Sequence, residues 1–146
     1  MTFDSKMVLH KGNREIQLLF LGRGHTAGET VVFLPRECIV CTGDLMENGI
    51  SYMGDAYFDD WINTLDALKK LDFALVLPGH GTPFTDKGHI TAFQSYLADV
   101  MTQVANLRKQ GLSPEEAATR GPHIPPEGLP RDPGTGGRSQ GSSPFV

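Results

Sequence analysis

The chain has 146 residues, of which 39% are hydrophobic, and its 13 Lys and Arg against 17 Asp and Glu give a formal net charge of −4. This is the size of one ordinary domain with a hydrophobic core. Acidic residues outnumber basic ones, and the sequence has no basic stripe that could bind a phosphate backbone. Nucleic acid is therefore excluded as an expected ligand. No run approaches the roughly 20 apolar residues of a membrane span. Residues 1–20 also lack a signal-peptide pattern, which slightly favours the cytoplasm.

The first third of the chain has the pattern of a β-sheet. Residues 7–10 and 14–21 flank a Gly-Asn turn and predict a hairpin. Residues 30–34 and 37–42 predict two further strands. Because only two residues separate them, they should be antiparallel neighbours. These runs are apolar at successive positions, which predicts burial on both faces of the sheet.

A long stretch without clear periodicity follows at residues 45–58. Long loops in compact domains are usually functional or disordered. Coming directly after Asp44, this loop could wall a substrate pocket through Met46, Tyr52 and Tyr57. A loop packed for its own sake explains the same residues equally well.

Three helices and one strand are predicted after this loop. The strand covers residues 73–77, and a capping box at Ser113 and Glu116 predicts a short third helix through Arg120. The first helix is capped by Asp59 or Asp60, with its apolar face at Trp61, Leu65, Leu68 and Leu71. The second opens at Thr85 or Asp86 and ends near Gly111, with an apolar stripe at Phe93, Leu97, Val100, Val104 and Leu107. Three helices can cover one sheet face at most.

The composition changes abruptly at Gly121, since the last 26 residues contain six Gly and six Pro. Such a segment buries too little surface to offset its ordering entropy. We therefore expect a domain at residues 1–120 and a disordered Gly/Pro/Ser-rich tail at residues 121–146.

Cys38 and Cys41 form a C-x-x-C string, which can mark a redox pair or a zinc site. They lie in an apolar run, where an offset of three on a strand points the side chains to opposite faces. We interpret them as buried free cysteines that pack as small hydrophobic residues.

Three polar groups follow apolar runs, each in a glycine-rich loop. His25 lies in Gly-His-Thr-Ala-Gly, Asp44 ends Thr-Gly-Asp, and His80 lies in Pro-Gly-His-Gly. Catalytic and binding groups favour loops that a rigid scaffold positions. Imidazole and carboxylate groups in this pattern predict a metal site.

These motifs, at residues 24–29, 42–44 and 78–81, resemble the metallo-β-lactamase superfamily in order and approximate spacing, over about residues 7–107. The resemblance implies an α/β (α+β) fold: the C-terminal half of an αββα sandwich, with a mostly antiparallel sheet and helices on one face. It implies that His25 is a ligand of the first zinc, that Asp44 bridges both metals and is the catalytic carboxylate, and that His80 is a ligand of the second zinc.

The family's His-x-His-x-Asp-His signature is absent from these 146 residues. The resemblance therefore implies a fragment of a zinc hydrolase, in which metal-bound hydroxide cleaves an ester, thioester or lactam in a small-molecule substrate. The alternative is a non-catalytic half-domain that serves as an interaction or folding module, or an inactive gene fragment.

Because several ligands are missing, we expect weak zinc binding of at most one ion per chain, where the whole family site holds up to two. The partly uncovered sheet also predicts self-association or a complementary N-terminal half. In the family, Asp occupies position 44 in thioesterase-like members, whereas one lactamase subclass carries Cys there.

Overall fold

The computed structural model describes residues 2–48 and 52–120, so the predicted tail at 121–146 lies outside the described residues. The described chain is a five-stranded sheet with three helices. The strands are β1 (Lys6–Lys11), β2 (Arg14–Phe20), β3 (Thr30–Leu34), β4 (Ile39–Gly43) and β5 (Leu75–Pro78). The helices are α1 (Phe58–Lys69), α2 (Gly88–Lys109) and α3 (Pro114–Arg120).

The strands lie side by side in chain order. β1 to β4 pair antiparallel, and β5 adds parallel to β4. The predicted hairpin is confirmed, because Lys11 pairs with Arg14 across a two-residue turn in which Gly12 has a φ of 62°. The antiparallel pairing of β3 and β4 is also confirmed.

Two strand boundaries and one interpretation of the cysteines were wrong. β4 begins at Ile39 because the preceding four residues form a turn, in which Cys38 has a φ of 55°. Cys38 thus lies outside the strand, and the argument from opposite strand faces does not apply to it. Both cysteines are free, as predicted, but half-buried rather than buried. β5 begins at Leu75, two residues later than predicted.

α1 and α2 pack on one face of the sheet, whereas α3 buries no residue. Trp61, Leu65 and Leu68 of α1 are fully buried, as the helical spacing predicted. They join core residues of four strands and of α2, which include Leu19, Val31, Phe33, Val40, Val76, Phe93 and Leu97. Alternate residues of a strand point to the same face of the sheet. The buried strand residues therefore lie on one face, which is the face that α1 and α2 cover.

Two details of the helices differ from expectation. α1 begins at Phe58 after an N-cap at Tyr57, so Asp59 and Asp60 lie in its first turn and neither caps it. Carboxylates in a first turn still interact favourably with the helix dipole. α2 begins at Gly88, and its apolar stripe is buried only in the N-terminal half, since Val104 is 55% exposed. The predicted C-terminal glycine, Gly111, has a φ of 79°.

The opposite face of the sheet carries a continuous apolar row. Met7, Leu18, Val32, Cys41 and Leu77 are successive partners across all five strands. We call these five residues the second-face row. All five are half-buried. Within the described ranges, none of them belongs to the core or packs against it. We also find no described helix that is long and apolar enough to cross a membrane.

Candidate metal centre

Three loops that carry polar motif residues leave the sheet at the same edge. β2 and β4 run in one direction because each is antiparallel to β3, and β5 runs with them because it is parallel to β4. The carboxyl ends of these three strands therefore lie at one edge. The loops after them contain His25, Asp44 and His80, respectively.

The His25 loop is closed by a buried carboxylate. Glu29 Oε1 accepts hydrogen bonds from the Thr26 backbone N–H at 2.7 Å and from the Thr26 hydroxyl at 2.9 Å. The Gly24 N–H also donates to the Thr26 carbonyl at 3.0 Å. Glu29 is 8% exposed. Its contacts thus hold the histidine loop in shape.

The ring of His25 rests edge-on against the core. Its centroid lies 5.8 Å from that of Trp61, with an angle of 80° between the ring planes. Trp61 Nε1 donates to the Leu45 carbonyl at 2.9 Å, and the Tyr57 N–H donates to the Gly24 carbonyl at 2.8 Å. A fully buried side chain of α1 therefore connects the His25 loop to the residue that follows Asp44.

The Asp44 and His80 loops are joined through their backbones. Because β4 and β5 are neighbours, the Gly79 N–H donates to the Gly43 carbonyl at 2.9 Å, and the Asn48 N–H donates to the His80 carbonyl at 3.2 Å. Asn48 Nδ2 also donates to the Thr82 carbonyl at 3.0 Å. These bonds hold the two loops side by side.

The absence of a side chain at Gly79 allows this close approach. A Cβ at Gly79 would lie 2.0 Å from Asp44 Oδ1 and 2.7 Å from the Gly43 carbonyl carbon. Both distances are shorter than real Cβ contacts. A glycine is therefore required beside the Asp44 carboxylate for steric reasons.

The structure brings the three predicted residues together and adds a fourth. His25, Asp44 and Glu47 each offer one ligand atom, and these atoms lie within 4.8 Å of one another. His80 Nδ1 lies 2.9 Å from Asp44 Oδ1 and 3.6 Å from Glu47 Oε1. His80 is the most open of the four, with 72% of its side chain exposed.

Glu47 was missed because no apolar period or motif in the sequence marks it. The only available signal was its position three residues after Asp44, in a chain segment that turns back immediately after a strand. The predicted pocket wall was also wrong in part. Met46 is fully buried in the core, while Tyr52 is 72% exposed. Tyr57 packs against the Arg23 guanidinium, 4.3 Å from the ring centroid.

The donor set suits a divalent metal ion. Two imidazoles and two carboxylates, with no thiolate, are ligands that zinc and other borderline divalent ions accept. Asp44 and His25 are half-buried and Glu47 is buried, so the ligand atoms lie in a partly enclosed edge of the sheet. The residues present therefore fit the metal that the resemblance implies.

Part of the chain matches a known protein family. Residues 9–80 match the model of the metallo-beta-lactamase superfamily. The match supports membership of this superfamily for that part of the chain. It is similar to a metallo-beta-lactamase type 2 of Elizabethkingia meningoseptica, with 29% identity over 54% of this chain and 34% of that protein. A similar match, to the metallo-beta-lactamase IND-1 of Chryseobacterium indologenes, has 35% identity over 47% of this chain and 31% of that protein.

Solved structures confirm the predicted fold class. A metallo-beta-lactamase from Pontibacter korlensis superposes with a TM-score of 0.60 and 26% identity, over 66% of this chain and 47% of that one. The sec-alkylsulfatase Pisa1 of a Pseudomonas species gives a TM-score of 0.72 over 86% of this chain and 22% of that one. At 15% identity, this second likeness shows the fold alone. The chain spans about a third of the length of the curated relatives it matches.

Proposed function

We propose that these residues form one half of the active site of a metal-dependent hydrolase that cleaves an ester, thioester or lactam. The observation that carries this proposal is the convergence of His25, Asp44 and His80 at one sheet edge in a chain that matches the model of this superfamily. A carboxylate rather than a thiolate at residue 44 disfavours the lactamase subclass that carries Cys there, and it does not choose among the other substrates. The names of the relatives favour a lactam. The substrate test below therefore includes both classes.

Zinc is the metal we propose, held by His25, Asp44 and His80. Bound zinc supplies Lewis acidity and lowers the pKa of water, so that a nucleophile forms at neutral pH. The chain contributes positioning. Trp61 and Glu29 fix the His25 loop, and the backbone bonds between the Asp44 and His80 loops fix the other two ligands before any metal binds. Such preorganisation limits the reorganisation that a reaction would require.

The same proposal includes a partner for the second face of the sheet. The second-face row is apolar and half-buried on every strand, from Met7 at one edge to Leu77 at the other. Continuous exposed apolar surface of this kind marks an interface. We propose that a segment bearing the His-x-His-x-Asp-His motif covers this face and completes the metal site, and that the chain self-associates without it.

A reconstitution experiment tests the proposed function. The N-terminal half of a matched relative, including its His-x-His-x-Asp-His segment, would be co-expressed with this chain. Hydrolysis of a chromogenic lactam and of a thioester would then be measured with and without zinc. We expect negligible turnover by the isolated chain and zinc-dependent turnover by the pair.

Substitution of Asp44 by Ala should abolish turnover by the pair. Substitution of Asp99 by Ala is the control, because Asp99 is an exposed residue of α2 outside the metal centre. A monomeric isolated chain with full zinc-dependent turnover would contradict the proposal.

The second candidate function is a non-catalytic interaction module. The apolar second-face row favours it independently of the metal ligands. In that case the co-expressed half would still bind and suppress self-association, but zinc would produce no turnover with either substrate. Size-exclusion chromatography combined with the hydrolysis assay distinguishes the two functions.

A further inference from the structure

Glu47 is a largely buried carboxylate, and no residue that the structure describes donates a hydrogen bond to it. The residue is 9% exposed. Among the residues that the structure describes, its nearest polar partner is His80 Nδ1 at 3.6 Å, beyond hydrogen-bond distance. Burying a charge costs free energy unless that charge is paired or coordinates a metal. A cation bound between the Asp44 and His80 loops would therefore pair with this carboxylate.

The fold holds Glu47 in this position through its neighbours on both sides. Leu45 and Met46 are fully buried, and the Leu45 carbonyl accepts the bond from Trp61 Nε1. On the other side, Asn48 is tied to the His80 loop through its backbone N–H and its side-chain amide. The backbone on both sides of Glu47 is thus held in place, and only 12% of its side chain is exposed.

The carboxylate is directed at the other candidate ligands. One of its oxygens belongs to the set of atoms from His25, Asp44 and Glu47 that lie within 4.8 Å of one another. Ligand atoms on one zinc ion lie at most roughly 4.4 Å apart, since each bond is roughly 2.0–2.2 Å long, so these atoms would have to move slightly closer together to share one ion. Glu47 therefore lies close enough to the other candidate ligands, and carries the charge, to bind a cation together with them.

We infer that Glu47 is itself a metal ligand, so that His25, Asp44 and Glu47, with His80 beside them, hold one divalent cation on this chain alone. The inference rests on the metal centre of the proposed function but requires neither hydrolysis nor a second half. Two carboxylates and imidazoles without sulfur suit borderline to hard divalent ions, which includes zinc and manganese. The isolated chain should thus bind metal more tightly than three ligands would allow.

Metal binding to the full purified chain tests this inference. Zinc and, separately, manganese would be titrated calorimetrically into wild-type protein, Glu47→Gln and Glu37→Gln. Glu37 is a matched control because it is a half-buried glutamate near the opposite end of β4 that pairs with Arg14 at 2.7 Å. We expect one ion per wild-type chain. Glu47→Gln should lose affinity tenfold to hundredfold, and Glu37→Gln should bind metal with wild-type affinity.

Thermal unfolding provides a second readout that a purely structural role would not give. Without metal, Glu47→Gln should melt at or above the wild-type temperature, because the amide removes an uncompensated buried charge. With zinc, wild-type protein should gain thermal stability and Glu47→Gln should gain little. If Glu47→Gln binds zinc as wild type does, or melts lower without metal, the inference is wrong.

The outcome is distinguishable from that of the proposed function. Hydrolysis by the reconstituted pair with no effect of Glu47→Gln on metal affinity would overturn this inference and leave the function standing. Glu47-dependent metal binding without hydrolysis would support this inference and overturn the function.

Discussion

Gly79 provides the sharpest test of how the candidate site is built. Replacing it by Ala adds a Cβ that would lie 2.0 Å from Asp44 Oδ1 and 2.8 Å from the Asp44 backbone nitrogen. The carboxylate oxygen would be about 1.4 Å closer than the distance at which ordinary van der Waals contact begins. The side chain alone cannot relieve this clash, because two of the three nearest atoms belong to the backbone of residues 43 and 44.

The expected magnitude follows from these distances. Overpacking a well-packed region typically costs about 1–3 kcal/mol of unfolding free energy, and we expect Gly79→Ala to fall in this range. The effect on zinc affinity should be of similar size in free energy, because ligand distances tolerate deviations of only about 0.2 Å. A displacement of the Asp44 carboxylate by more than this distance should lower zinc affinity tenfold to hundredfold.

Gly28→Ala is the matched control. Gly28 lies in the His25 loop, has nothing within 4 Å of a built Cβ, and has no positive φ. This substitution should stabilise the protein by about 0.4–1 kcal/mol through the unfolded state and leave zinc affinity unchanged. Urea unfolding and calorimetric zinc titration of both variants measure the two quantities. Wild-type zinc affinity in Gly79→Ala would refute the placement of Asp44 against the His80 loop.

Three further predictions concern other parts of the chain. Trp61→Phe removes the hydrogen bond to the buried Leu45 carbonyl, and urea unfolding should show a loss of about 1–3 kcal/mol. The pKa of Asp66 lies below its ordinary value of 3.8, chiefly because the Gln94 amide donates to it. Its contribution to stability is therefore present above that value and lost as pH falls through the folded pKa, and Asp66→Asn should flatten acid unfolding curves in that window. Limited proteolysis should cut near Gly121 before it cuts the core.

The sequence predicted the features that local chemistry determines. The Gly-Asn turn formed the expected hairpin. The capping box formed as expected, because the Ser113 N–H donates to the Glu116 carboxylate at 2.9 Å and the Glu116 N–H donates to the Ser113 hydroxyl at 3.3 Å. Short-range patterns such as these need no knowledge of distant residues. The family motifs added the long-range information that periodicity lacks.

The failures occurred where a residue's neighbours are distant in sequence. An apolar stripe on α2 does not reveal how far the packed surface extends, and Val104 lies beyond it at 55% exposure. Met46 is equally ambiguous as a single methionine in a loop, yet it is fully buried. Glu47 is the clearest case. Its place in the candidate metal centre depends on the turn that follows Gly43, on the buried Trp61 of α1 and on the His80 loop. An isolated glutamate in the sequence indicates none of these.

The arrangement of the loops indicates that the sheet, rather than a metal, determines the geometry of the candidate site. Each loop is fixed by bonds that exist without an ion: the Glu29 clamp for His25, and the bonds between the backbones of residues 43 and 79 for the other two. Metal loss should then leave the fold intact and the ligand residues in place. Glu47 is the least exposed of the four candidate ligands, and within the described residues its nearest basic group is His80 Nδ1 at 3.6 Å. We therefore expect zinc at a fixed concentration to stabilise wild-type protein more than Glu47→Gln.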